Sequence, residues 1–169
     1  MIDRGRQIVD QIAHLRRYAA ALLHDRDAAD DLVQDCLTRA MDRLHTWRPS
    51  GSMRAWLLTI LHNLHVNQLR DHGRNSALRR LGGDIDRQTA PPAQDASLSL
   101  RDLSAALAQL PAWQRSVGLL VGLEGLSYED AAAVTGAPLR TVMSRLARGR
   151  EQLRYLMDSG AAPKAGSRK

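Results

Sequence analysis

Arg140, Thr141, Ser144, Arg145 and Arg148 are the residues in this chain whose types and spacing most clearly suggest chemistry. They recur at helical spacing, so several of them can share one side of a helix. A guanidinium fork matches the O6 and N7 of guanine or a phosphate, and a hydroxyl can take either a phosphate or a base edge. That chemistry is binding to a polyanion, and no bond is made or broken. The histidines His14, His24, His45, His62 and His65 show no zinc spacing with Cys or Glu, and no glycine-rich phosphate loop follows a strand. His62 and His65 are neighbours at i, i+3, and without further ligands such a helical pair is expected at the surface. The lone Cys36 excludes an internal disulfide framework and sits among Leu32, Val33, Leu37, Ala40 and Met41, as a buried structural thiol would. The sequence calls for no catalytic residue, no metal and no cofactor.

The basic stripe lies within LSYEDAAAVTGAPLRTVMSRLARGREQLRY, Leu126 to Tyr155. Ser127 with Asp130 three residues on can cap a first helix. Gly136 stands where a helix end needs positive φ, and Pro138 suits the first turn of a second helix. Leu139, Val142, Leu146 and Leu153 give that second helix an apolar side. A short helix, a glycine turn and a basic second helix read as a helix-turn-helix, although a helical hairpin with a solvated basic face fits the same pattern.

Composition agrees with helices. Hydrophobic residues make up 44% of the 169, Phe is absent and aromatics are 4%, so the core is Leu, Ala, Val and Met. The net charge is +6, and 22 of the 24 basic residues are Arg, which fits a nucleic-acid partner. Residues 1–81 carry 13 Arg against 9 Asp, and residues 98–169 carry 10 basic against 6 acidic side chains. Between them, 82–97 (GGDIDRQTAPPAQDAS) holds one Arg against three Asp and reads as a flexible linker. The expected architecture is all-α: a helical bundle over 1–81, the linker, a helix-turn-helix domain over 98–157, and a disordered basic tail over 158–169. The two modules are expected to fold separately and to move freely when no partner is bound. In the first module helices are predicted from about Ile8 to Leu23, Ala28 to His45, and Met53 to Arg70 with an extension toward Arg80. Asp25 or Asp27 can cap the second of these. Leu57, Ile60, Leu61, Leu64 and Leu69 form the buried stripe of the third. No apolar run reaches membrane-spanning length, which places the expectation in the cytoplasm.

Two separated segments then carry a family resemblance. RDAADDLVQDCLTRAMDRL with SMRAWLLTILHNLHVNQLR resembles the second conserved region of extracytoplasmic-function (ECF) sigma factors of bacterial RNA polymerase. ALAQLPAWQRSVGLLVGLEGLSYEDAAAVTGAPLRTVMSRLARGREQLR resembles their fourth region. Both occur in the family's order and cover about residues 9 to 155. No third region and no receiver domain are recognisable.

The resemblance implies a sigma factor that directs RNA polymerase to particular promoters and starts transcription, with core polymerase (β′ and β subunits), promoter DNA and an anti-sigma factor as partners. Asp31, Gln34 and Asp35 lie off the apolar stripe of their helix and form a polar, partly acidic face. The residues alone also fit a solvated face that complements the helix dipole; the resemblance implies docking on the β′ subunit. For the −10 element it implies Trp47 and Arg48 beside the loop, with Asn63, Asn67 and Arg70 along the following helix. Trp56 matches a core position, and Leu58 departs from a position that is often aromatic. For the −35 element it implies Arg140, Thr141, Ser144, Arg145 and Arg148. Met143 and Ala147 stand where some relatives place a basic and an aromatic residue. The alternatives are a sigma-mimicking protein that binds an anti-sigma factor, and a plain helix-turn-helix regulator.

Overall fold

A computed structural model describes residues 3–79 and 98–159, and all regular structure among them is helical. The segments read as a linker (82–97) and as the end of the tail (160–169) lie outside the described residues. The first module contains α1 (Arg4–Val9), α2 (Ile12–Leu23), α3 (Arg26–Asp42), a 3-10 turn over Leu44–Thr46, and α4 (Met53–Arg79). The second contains α5 (Leu98–Gln109), α6 (Ala112–Gly122), α7 (Tyr128–Thr135) and α8 (Leu139–Asp158).

Local signals set most of the boundaries. The Asp25 carboxylate accepts the Ala28 N–H at 3.1 Å and starts α3 two residues earlier than the periodicity suggests. Ser127 Oγ accepts the Asp130 N–H at 3.0 Å at the start of α7. Gly136 ends that helix at φ +67°, where an L side chain would be strained. Pro138 is the residue immediately before α8.

Two expectations change in the first module. The helix drawn from Ile8 to Leu23 is two helices, broken at Asp10–Gln11. Asp3 caps the first through the N–H groups of Gly5 and Arg6, and the break lets α1 fold back beside the loop after α3. Met41 and Leu69, placed on apolar stripes by spacing, are 57% and 44% exposed, because each stripe is narrower than its period allows. Cys36 is buried as expected. Its thiol contacts the Leu57 carbonyl at 3.5 Å, and burial pushes its pKa up to about 12.

The larger difference is between the modules. In this structure they are docked and share one apolar core. Leu15, Tyr18, Leu57 and Leu61 from the first module belong to the same buried cluster as Val117, Leu120, Ala131 and Val134 from the second. Helix α4 lies against α7, and α2 lies against α6 and α5. The low apolar content of 82–97 says nothing about whether the domains it joins carry complementary faces.

Candidate nucleic-acid interface

The face of α8 follows from which side the fold buries. Val142, Leu146, Gly149 and Leu156 point inward, while Arg140, Met143, Ser144, Ala147 and Arg148 are exposed. Gly149 lies 3.6 Å from the Gln114 side chain, measured from where a Cβ would stand, so α8 and α6 are in close contact there. From Leu139 to Arg150 there is no acidic residue. The outward face is therefore positive over its first three turns, and the first acid on α8 is the exposed Glu151, one turn past Arg148. Thr141 is half-buried. Arg145 is half-buried too, and its guanidinium stacks 5.3 Å from the Trp113 ring centre. Of the five candidate residues, Arg140, Ser144 and Arg148 share the open face, and Arg145 stands on the flank toward the other module.

In the first module Asn63, Asn67 and Arg70 are exposed along α4, at the one-turn spacing their numbering implies. Trp47 is different. It is only 7% exposed, and the Arg4 guanidinium lies 5.9 Å from its ring. It borders a hollow of about 290 Å³ that is also lined by Gln7, Asp10, Gln11, Pro49, Gly51 and Met53. Arg48 is exposed beside it. Trp56 is half-buried against the core and Leu58 is fully buried, so Leu58 has no base-facing surface. On α3, Asp31, Gln34 and Asp35 are all exposed, one turn from the buried Leu32, Val33 and Cys36.

The histidine pair is a correction. His62 and His65 are buried at 8% and 3% exposure, not at the surface. They lie where α4 meets the second module, near positive charge from it. Burial lowers the pKa of both. Arg145 adds to this at His62; for His65, His62 and then Arg115 add to it, and its value falls to about 4. A pair without ligands was expected in water, but the docked second module covers it.

Five side chains to which sequence reasoning gave no role hold the junction. Arg115 sends Nε to Leu107 O (2.8 Å), Nη2 to Ala108 O (2.9 Å) and Leu110 O (2.8 Å), and Nη1 to Leu22 O (3.1 Å). One planar fork thus satisfies carbonyls at the end of α5 and of α2, where a cation also complements the helix dipoles. Glu124, whose side chain is fully buried, accepts both Nε and Nη2 of Arg17 at 3.2 Å. Its other oxygen is 3.4 Å from His14 Nδ1, while His14 Nε2 faces Arg54 Nη2 at 3.0 Å. Arg54 can only donate, so His14 Nε2 accepts there, while Nδ1 stands between Arg17 Nη2 at 3.2 Å and the Glu124 oxygen, which has no hydrogen-bond partner. The signals for these residues were thin: a single acid inside the apolar run VGLLVGLEGL, and an arginine four residues after Pro111.

Among the described residues, no group of three or more His, Cys, Asp or Glu could hold a metal ion. No described helix is long and apolar enough to cross a membrane.

The model of the sigma2 domain of PhyR matches residues 8–62, and that of sigma-70, region 4 matches residues 100–153. The chain is 39% identical over 155 residues to the ECF RNA polymerase sigma factor EcfG of Rhodopseudomonas palustris, spanning 89% of this chain and 82% of that one. It is similar to the sigma factor RpoE of Bartonella quintana, solved in complex with the anti-sigma factor NepR, at 37% identity and a TM-score of 0.82, over 94% of this chain and 98% of that one. CnrH, solved with the cytosolic domain of CnrY, matches at 27% identity and a TM-score of 0.67, over 92% and 87% of the two chains.

Proposed function

This chain belongs to the ECF family of RNA polymerase sigma factors, and on that premise we infer how its surfaces divide the work of choosing and opening a promoter. The exposed face of α8 reads the −35 element in the major groove, through Arg140, Ser144 and Arg148, with Thr141 and Arg145 at its edge. The polar face of α3, Asp31 with Gln34 and Asp35, docks on the β′ subunit of core polymerase. Asn63, Asn67 and Arg70, with Arg48 and Trp47 at the loop, take the −10 element. Opening a duplex costs a few kcal/mol per flipped base, which stacking and polar contacts must offset. The single observation that carries this reading is the acid-free, solvent-facing side of the first three turns of α8 on a chain that also presents the polar face of α3. A mimic that only binds an anti-sigma factor needs no such helix face.

The docked arrangement bears on how this works. Two promoter elements about two turns of B-DNA apart are separated by roughly 70 Å. A compact body of this size has a radius of gyration of about 15 Å. The modules must therefore part before both elements are read together, and partners act by selecting the parted or the docked form. RpoE was solved with the anti-sigma factor NepR and CnrH with the cytosolic domain of CnrY; by analogy this chain is also held by an anti-sigma factor.

Run-off transcription with purified core polymerase and a promoter library tests the proposal. The expected result is transcription from a defined subset of promoters, lost in the double variant Asp31→Arg, Asp35→Arg while helicity is unchanged. Transcription that does not depend on the added chain would refute it.

A further inference from the structure

The outward face of α8 carries an apolar group that the phosphate and guanine chemistry of its arginines leaves unused. Met143 is 50% exposed, in the second turn, between Arg140 one turn before it and Ala147 one turn after. Leu139, at 40% exposure, precedes it by one turn. Neither has a core to join, because the buried side of α8 is occupied by Val142, Leu146 and Gly149. A single exposed apolar side chain needs no explanation on an ordinary surface. Met143, however, stands within a face that is acid-free for three turns, flanked by Arg140, Ser144 and Arg148. In the major groove the base edges offer donors, acceptors and one apolar group, the 5-methyl of thymine.

We propose that Met143 is a specificity-determining residue that selects thymine in the −35 element by packing its thioether chain on the 5-methyl group. This rests on the sigma-factor reading above. The geometry also ranks the neighbours. Arg145 lies on the flank, stacked on Trp113, so base reading is centred on Arg140, Met143 and Ser144.

The test uses the full chain with core polymerase. A −35 sequence is first selected from a randomised promoter library. Each thymine in it, on either strand, is then replaced by deoxyuridine, which keeps every hydrogen-bonding group and removes only the methyl. Binding of wild type and Met143→Ser is compared on each fragment. Wild type is expected to lose about fourfold in affinity at one position, the equivalent of one buried methyl. Met143→Ser, an exposed and fold-neutral change, is expected to bind thymine and uracil there equally. Uniform indifference of wild type to uracil, an unchanged response in the variant, or a selected element with no thymine on either strand would overturn the inference alone. A holoenzyme that selects no −35 sequence would overturn the sigma-factor reading, and this inference with it.

Discussion

Along α8, Arg140, Met143, Ser144 and Arg148 stand in solvent, whereas the loop aromatic of the first module, Trp47, is covered by Arg4 and by the turn between α1 and α2. The first surface is displayed by a helix whose opposite side is packed, so its side chains need no rearrangement before meeting DNA. The second is part folded away. Asn63, Asn67 and Arg70 are open, but Trp47 is buried, so the base stacking proposed for it requires its cover to move. On the proposed division of work, recognition on a rigid helix and melting by a loop start from different degrees of readiness. The junction between the modules lies next to both.

The largest effect that would break this comparison is expected from Arg115→Ala. Three carbonyls lose their donor, while Leu107 O keeps the Leu110 N–H, and at roughly 1 kcal/mol or more each the variant is expected to be less stable by about 3 to 4 kcal/mol in urea unfolding. Arg115→Lys is not expected to rescue it, since a point charge cannot serve both helix ends. A loss under about 1 kcal/mol would show that the fork does not organise the junction.

Next in size is Trp47. If it is a buried wedge in the docked form, Trp47→Ala should cost about 3 kcal/mol of stability, as deletion of a buried Trp does. Trp47→Phe should cost less and keep promoter opening measurable with permanganate. Stability unchanged by Trp47→Ala would mean the ring is already free, and the contrast with α8 would vanish.

The buried histidines sharpen the comparison through pH. The folded form holds His65 at about 4, against an ordinary value of 6.5, so it binds fewer protons than the open or unfolded form. Its stability is complete above about pH 6.5 and is expected to fall by about 1 to 2 kcal/mol by pH 5. Of the groups acting on His65, His62 has its own pKa lowered by burial and acts in the same direction, and the Arg115 guanidinium adds positive charge beside it. Small-angle scattering should show the chain expanding over that window, with His65→Gln shallower than wild type. An equal response in both would place the titration elsewhere.

Smallest is the cap of α7. Ser127→Ala is expected to cost about 1 kcal/mol in thermal unfolding, because the Asp130 N–H loses its partner at the start of a short helix. The outward face of α8 should be unaffected, so affinity for a −35 duplex should change by less than twofold.

Most of the helix-turn-helix was legible because its determinants are local. Ser127, Gly136 and Pro138 act on their own backbone, and the 3.6-residue period of Val142 and Leu146 already divides α8 into a buried and an open side. The same holds for the polar face of α3 and the buried Cys36. What spacing could not show is which open sides are then covered. His62 and His65 look like surface residues until a second module packs on α4. Trp47 looks available until α1 turns back at Asp10–Gln11. Arg115 and Glu124 become structural only when α2 and α6 bring distant groups within 3.2 Å of their side chains. The chain alone therefore determined its helices, their polarity and its family. Tertiary structure decided that the modules share one core and which candidate side chains stand open, because those depend on contacts between residues 43 to more than ninety positions apart.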